Sequence, residues 1–479
     1  MNFCSYVQND FLHDSAVLHD LGKGAYGMVK LVQRTDGDTY AVKYIPIETN
    51  PEGILASLSG TQKQYGITSS ALWDIDALAK LRTSSFITQL VGICYQNYLI
   101  AIILEPMDSN LNTYIQRTSI NLRIQEMPNL MLTLMKAAAI METLNIIHFD
   151  MKPANVLVKK NAEPIITGNR TQFKVTDFGI ARSSHKEYHV PMGEVFTLWY
   201  RPPEFLARRD RYTFNIHSGD IWSSALTILE YIIGNPIIVG KTPMEILRKI
   251  KNIYGTQLSI QDFFDANKEG SISGMIDVKM LLQARLDPVY LRLIDPAIIT
   301  ILSKMLSLNP DDRPSAYQIL MAFNSPIDPQ YILSLIPREY PRQIDPLGIE
   351  LIINLTTRVS RATILIAIEL FTRYLTEQTF TWNDIYSIAL VALWDASKYN
   401  EDRPLQIKHM QRAYEQLGFS KIGLNEIIAA EGRLLEQIKF QVYNLNLTPV
   451  IRRVYTKKIN LTEINPNIYA EPLDHWFTA

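Results

Sequence analysis

Short apolar runs alternating with polar positions open the chain, and longer runs at helical spacing fill the rest. Val17–Leu21, Met28–Gln33 and Thr39–Ile45 are rich in strand-forming residues, with the hairpin signal Asp36-Gly37 between the second and third. Ser70–Leu81 sets Ala71, Leu72, Ile75, Leu78 and Leu81 at the spacing of an amphipathic helix. From about residue 110 helical patterns dominate, broken by loops rich in Pro, Asp and Gly. The pattern predicts an α+β unit over 15–325, with a small strand lobe at 15–107 and a larger helical lobe at 108–325, after an N-terminal extension at 1–14. Prolines at 326, 329, 337, 341 and 346 forbid a continuous helix and mark a linker over 326–346. Residues 347–450 then read as an all-α domain without sustained strand alternation, followed by a tail at 451–479.

Composition narrows the classes. Hydrophobic residues at 47% and charged residues at 20% let the 479-residue chain bury sizeable cores, so it is not a disordered polymer. The formal charge of −1 gives no reason to expect a general nucleic-acid or membrane binder. Cys4 and Cys94 are too few for a disulfide framework or a cysteine metal site and fit a reducing compartment. No secretory signal is visible, and apolar stretches such as Leu99–Leu104 and Ile388–Trp394 fall well short of a membrane span. The expectation is a soluble intracellular protein, cytoplasmic or nuclear. The basic run Arg452–Lys458 reads as a solvated surface rather than a nuclear signal.

The chemistry lies in an ordered set of motifs. Gly22-Lys23-Gly24-Ala25-Tyr26-Gly27 joins two strands, with no helix opening after it, so a dinucleotide-binding turn is disfavoured. A glycine hairpin lets backbone N–H groups approach phosphate oxygens, but alone it is a common tight turn. Ala41-Val42-Lys43 adds a strand lysine. His148-Phe149-Asp150-Met151-Lys152-Pro153-Ala154-Asn155 adds a base, a cation and an amide, Asp177-Phe178-Gly179 a second carboxylate, and Arg201-Pro202-Pro203-Glu204 follows. Phosphoryl transfer needs these parts: cations and Mg²⁺ against phosphate charge, and an acceptor for the hydroxyl proton.

Over residues 15–325 this set resembles the eukaryotic protein kinases, and Phe196–Arg201 with Ser303–Arg313 resembles the cyclin-dependent group. The resemblance implies the two-lobed kinase fold, with ATP and Mg²⁺ as cofactors. It implies that Gly22, Lys23, Gly24, Ala25, Tyr26 and Gly27 cover the ATP phosphates and that Lys43 holds two of them. Val29, Ala41, Leu104, Glu105 and Met107 would then surround adenine, with Glu105–Met107 as hinge. Asp150 would be the base, Lys152 and Thr197 would position it and the γ-phosphate, and Asn155 and Asp177 would bind Mg²⁺. Glu204 with Arg313, and Asp220, would be structural.

Departures from the family are also legible. Thr68–Asp74 resembles the cyclin-contacting helix, but its acidic position is Asp74, one methylene shorter than the family's glutamate, so Lys43–Asp74 pairing needs a closer helix. The segment between Lys43 and Asp74 is longer than the family's, placing an insertion around Asn50–Gly66. Phe149, Trp73 and Met192 stand where relatives have two arginines and a phosphorylated threonine, and Arg182 alone remains of that phosphate grip. A phosphate switch needs charge and counter-charge. The expectation is an apolar contact of Trp73, Phe149 and Met192 that holds the loop without phosphorylation. Ala25 and Tyr26 leave glycine-loop phosphorylation only half available.

In the helical domain, Leu424, Ile427, Ile428, Leu434, Leu435 and Ile438 form a stripe that encloses Glu431. A carboxylate there is costly unless paired, and Lys398 is the candidate partner. Ala362–Leu375, Asp384–Lys398, Ile407–Leu417 and Leu424–Tyr443 resemble the second to fifth helices of a cyclin box, after a degenerate first helix near Gly348–Arg361. Lys398 and Glu431 fall where cyclins engage the kinase. The reading is a Ser/Thr protein kinase of cyclin-dependent type, activated in cis by its own cyclin-like domain. The resemblance implies protein substrates with Ser/Thr-Pro sites and weak selection for a distal basic residue. An ATP-binding scaffold, or a kinase that recruits a separate cyclin, stays open.

Overall fold

A computed structural model describes residues 10–24, 27–47, 66–96, 99–160, 171–183, 195–207, 216–254, 259, 263, 274–327, 352, 359–375, 382–401, 404–416 and 422–438. Ser15–Gly24 (β1), Gly27–Arg34 (β2), Thr39–Pro46 (β3), Leu90–Gln96 (β4) and Leu99–Leu104 (β5) form an antiparallel sheet in the order β1-β2-β3-β5-β4. Gly37 makes the β2–β3 turn with φ of +93°, a conformation glycine adopts without steric cost.

Between β3 and β4 runs helix α1, Ser69–Leu81, capped by Thr68, whose side chain accepts from the Ala71 N–H. The amphipathic spacing predicts one buried face, whereas Asp74, Asp76 and Lys80 are buried as well. The sheet covers one side of α1 and the C-terminal helical domain the other, so the polar residues are enclosed and pair within the interface.

The large lobe is built on helices α2, Ile120–Thr143, and α3, Ser218–Ile233, which pack together around Leu130, Leu134, Ile228 and Trp222. Gly234 ends α3 at φ of +94°. Strands Val156–Lys159 and Gln172–Val175 pair in a hairpin that flanks the reactive loops. Glu204 and Arg313 form a two-pronged ion pair, both contacts 2.7 Å and both side chains fully buried.

The helical domain contains α4, Arg361–Tyr374; α5, Trp382–Asn400; α6, Ile407–Gln416; and α7, Leu424–Gln437. The predicted Ile388–Trp394 run is the buried middle of α5, against which α4 and α7 pack. The other side of α5 lies on α1. Most of the predicted first helix near Gly348–Arg361, the 328–346 part of the linker, Asn50–Tyr65 of the insertion, Met192 and Arg452–Lys458 lie outside the described residues. Among the described residues no helix is long and apolar enough to cross a membrane.

Candidate active site

Strand register places Lys43 in the sheet interior, opposite Val29 on one side and Ile102 on the other. Its ammonium meets Asp74 Oδ2 of α1 at 2.6 Å and Asp177 Oδ1 at 3.0 Å. Burial pulls its pKa down, but the two carboxylates reverse this and leave it raised above the ordinary lysine value. Burial likewise disfavours the Asp177 carboxylate, yet Lys43, His148 and Lys152 hold its pKa below the usual range. Asp74 also accepts from the Phe178 N–H at 2.9 Å through Oδ1. One short side chain therefore ties α1 both to the strand lysine and to the Asp177-Phe178-Gly179 turn.

The loop carrying Asp150 is strained and braced. Phe149 has φ of +63°, Asp177 +65° and Phe196 +58°, unusual for residues with a Cβ. Asp220, buried on α3, accepts from the His148 N–H at 2.8 Å and the Phe149 N–H at 3.0 Å. His148 Nδ1 accepts from the Asp150 N–H, which assigns the ring proton to Nε2, 3.1 Å from the Thr176 carbonyl.

Around Asp150 the polar groups converge. Lys152 Nζ is 2.6 Å from Asp150 Oδ2 and 2.7 Å from Thr197 Oγ1, while the Thr197 hydroxyl and N–H both donate to Asp150 Oδ1. Asn155 Nδ2 donates to the Asp150 carbonyl and to Oδ2 at 2.9 and 3.0 Å. Asn155 Oδ1 and the Asp177 carboxylate remain as hard oxygen donors. Among the described residues no cluster of three or more His, Cys, Asp or Glu could hold a metal by itself. A two-donor set suits Mg²⁺, which keeps waters and phosphate oxygens as its other ligands.

In the glycine hairpin, Gly24 pairs with Gly27 across Ala25 and Tyr26, which lie outside the described residues. A Cβ at Gly27 would strike the Tyr44 carbonyl, so packing demands glycine there. At Gly22 a Cβ would meet nothing within 4 Å, so the fold itself does not require glycine, whereas a phosphate approaching the backbone would. Lys23 lies at the end of β1. Ala41 pairs with Leu104 at the strand end before Glu105 and Met107. The Glu105 carboxylate bonds Lys174 at 2.5 Å and the Gln89 N–H at 2.7 Å.

Of the expected contact of Trp73, Phe149 and Met192, Met192 lies outside the described residues, and Trp73 and Phe149 pack in separate clusters. Phe149 stacks edge-on with Phe196 at 5.2 Å and Phe205 at 6.0 Å, in a cluster with Ile147 and Val195. Trp73 packs on the main core, with its face covered by the Arg182 guanidinium. The positive φ of Phe149 and its bond to Asp220 direct the ring under Phe196, while Trp73 is turned toward the helical domain by a hydrogen bond to the Tyr399 carbonyl.

At the interface Glu431 accepts from the Ile67 N–H through both oxygens, at 3.2 and 3.1 Å, and bonds Lys398, itself 3.2 Å from Asp395. Burial pushes the Asp395 carboxyl well above the usual range: Lys398 opposes this shift and Glu431 adds to it. Sequence reasoning missed Gly66, Tyr95 and Tyr399. Gly66 has φ of +69°, and a Cβ there would lie 2.8 Å from Trp394 and collide with Glu431. Tyr95 donates to the Ile428 carbonyl at 3.4 Å, and its ring fills the space over Gly432. Tyr399 donates to Asp76 at 2.8 Å. Only the adjacency of Tyr399 to Lys398 could have marked it.

The protein kinase domain family matches residues 15–323, well over half of the chain. The chain belongs to the protein kinases. The cyclin N-terminal domain family matches residues 342–443 of the same chain. Cyclin-dependent kinase 1 of Encephalitozoon cuniculi is 27% identical over 308 residues, 62% of this chain and 92% of that protein. CTD kinase subunit alpha of Schizosaccharomyces pombe is 26% identical over 312 residues, 64% of this chain and 47% of that protein. A chain of the CAK complex of Chaetomium thermophilum bound to ATP-gamma-S shares the fold, with a TM-score of 0.51, 23% identity, and coverage of 65% of this chain and 90% of that one. The protein is thus a cyclin-dependent-type Ser/Thr protein kinase domain followed by a cyclin-box domain.

Proposed function

We propose that the kinase uses ATP and Mg²⁺ to phosphorylate Ser or Thr followed by Pro, and that its own cyclin-box domain activates it in cis without activation-loop phosphorylation. Gly22, Gly24 and Gly27 cover the phosphates, and Lys43 holds two of them. Val29, Ala41, Leu104 and the backbone of Glu105–Met107 receive adenine. Asn155 and Asp177 hold Mg²⁺, which when bound offsets phosphate charge. Asp150 accepts the substrate hydroxyl proton as that oxygen takes the γ-phosphoryl group from the departing ADP, with Lys152 and Thr197 fixing its carboxylate. The family resemblance of the segment through Arg201 supports the proline preference, and the lack of a phosphothreonine position supports weak selection for a distal basic residue.

The observation that carries the cis reading is the engagement of Asp74 with Lys43 in a helix held from behind by α5 and Glu431 of the same chain. Bacterially expressed protein should phosphorylate a Ser-Pro peptide above an Asp150→Asn control, with specific activity independent of protein concentration. Glu431→Ala should reduce that activity. Background signal from both wild type and Asp150→Asn would favour a scaffold, and full activity of Glu431→Ala would favour a separate cyclin.

A further inference from the structure

Trp73, one of the departures from the family, stands where the two halves of the chain touch. Trp73, on α1, donates its indole N–H to the Tyr399 carbonyl at 2.8 Å. Tyr399 is fixed on α1 a second time, through its hydroxyl to Asp76 Oδ2, which also takes Lys80 at 2.5 Å. Asp76 stands one helical turn beyond Trp73, so Tyr399 clasps α1 by main chain and side chain. On the face of the indole sits Arg182, its guanidinium carbon 3.1 Å from the ring centroid. Nη1 of Arg182 donates to the carbonyls of Ile180 and Ala181, both at 3.0 Å, so the cation is held over its own stretch of chain, just past Gly179. The main chain of Arg182 pairs with Ile147, two residues before Phe149 and three before Asp150.

We infer that Trp73 is a positioning residue that links the docked cyclin-box domain to the start of the activation segment, through the path Tyr399 carbonyl, Trp73 indole, Arg182 guanidinium. The inference rests on the reading that docking in cis activates the kinase and adds how the signal reaches the segment. The half-buried Arg182 guanidinium lies on the electron-rich face of the indole, a contact that suits a planar cation. The indole takes its orientation from a bond to the other domain, so undocking removes a restraint on the ring against which Arg182 stacks. The far end of the segment has its own anchor, since Phe196 packs between Phe149 and Phe205 and Thr197 bonds Asp150. Neither end calls for a phosphate.

The test is a double-mutant cycle in the full chain, read as kcat and KM for ATP on a Ser-Pro peptide and as thermal midpoint. Trp73→Leu and Arg182→Met should each lower kcat about tenfold with KM for ATP nearly unchanged, and the double variant should lose no more than the worse single. Trp73→Phe, which keeps a ring without the N–H, should fall between wild type and Trp73→Leu, and Arg182→Lys, which keeps the charge but not the planar stack, should fall between wild type and Arg182→Met. Multiplicative kcat losses, or a Trp73→Leu enzyme with wild-type kcat, overturn the inference. Midpoint shifts that add in the same cycle also overturn it, even where activity is too low to read, and if Trp73→Leu does not fold, Trp73→Phe takes its place in the cycle. The Glu431→Ala variant separates the two readings: wild-type kcat there rejects cis activation, whereas a reduced kcat together with an additive cycle rejects the Trp73 path alone.

Discussion

Asp74 reaches Lys43 at 2.6 Å with a side chain one methylene shorter than the family's glutamate, from a helix that also packs on α5. The same carboxylate holds the Phe178 N–H. Asp74→Asn keeps the shape but removes the charge facing a buried ammonium, and should lower kcat about a hundredfold. Asp74→Glu must push α1 outward to fit, and should cost more than the family preference for glutamate would suggest. Steady-state kinetics of the two variants checks both.

Gly66 is required by its conformation and by its neighbours. Gly66→Ala places a Cβ against Glu431 and Trp394 at a φ that side chains disfavour. The expected result is weakened docking, with kcat lowered about tenfold, little change in the fold of the isolated lobes, and increased protease sensitivity between them. Wild-type kinetics from this variant would show that the Ile67–Glu431 contact is dispensable.

Phe149 occupies the family's arginine position but sits fully buried among Phe196, Phe205, Ile147 and Val195. Restoring the arginine with Phe149→Arg would bury a cation in an aromatic cluster. Stability should fall by about 3 kcal/mol, measured by denaturant unfolding. Phe149→Leu keeps the cluster apolar and should cost about half as much.

His217 is the N-cap residue of α3, and burial pushes its imidazole pKa down from 6.5 to about 4. The unfolded chain therefore takes up a proton that the folded chain refuses between those values. This contribution to stability is complete above about pH 6.5 and is lost as the pH falls toward 4. Thermal midpoints of wild type and His217→Asn should differ least at the acid end of that window, and an equal gap at every pH would contradict the assignment.

The sequence made the site legible where chemistry forces residue types. Lys43, Asp150, Asn155 and Asp177 stand in fixed motifs, and Glu431 betrays itself as a carboxylate inside an apolar stripe that must find a cation. What periodicity could not show is what lies across a long-range interface. Asp76 and Lys80 look like the wet face of an amphipathic helix, yet they pair with each other and with Tyr399 under a second domain. Trp73 and Tyr399 are 326 residues apart in the chain, and a backbone carbonyl as acceptor leaves no residue type to recognise. Of the expected contact of Trp73, Phe149 and Met192, the last lies outside the described residues, while the two rings pack in separate clusters: both replace members of one phosphate grip in the family, and nothing in the residue types obliges the substitutes to meet.

The join between the halves is anchored by a main-chain N–H, a carboxylate and an ammonium at Ile67, Glu431 and Lys398. Lys398 and Glu431 are fully buried there beside Ile67, Ile428 and Trp394, so parting the halves would uncover charged groups and apolar side chains together. Such a joint favours the closed arrangement twice over, since neither the ion pair nor the apolar surface beside it is left matched when the halves separate.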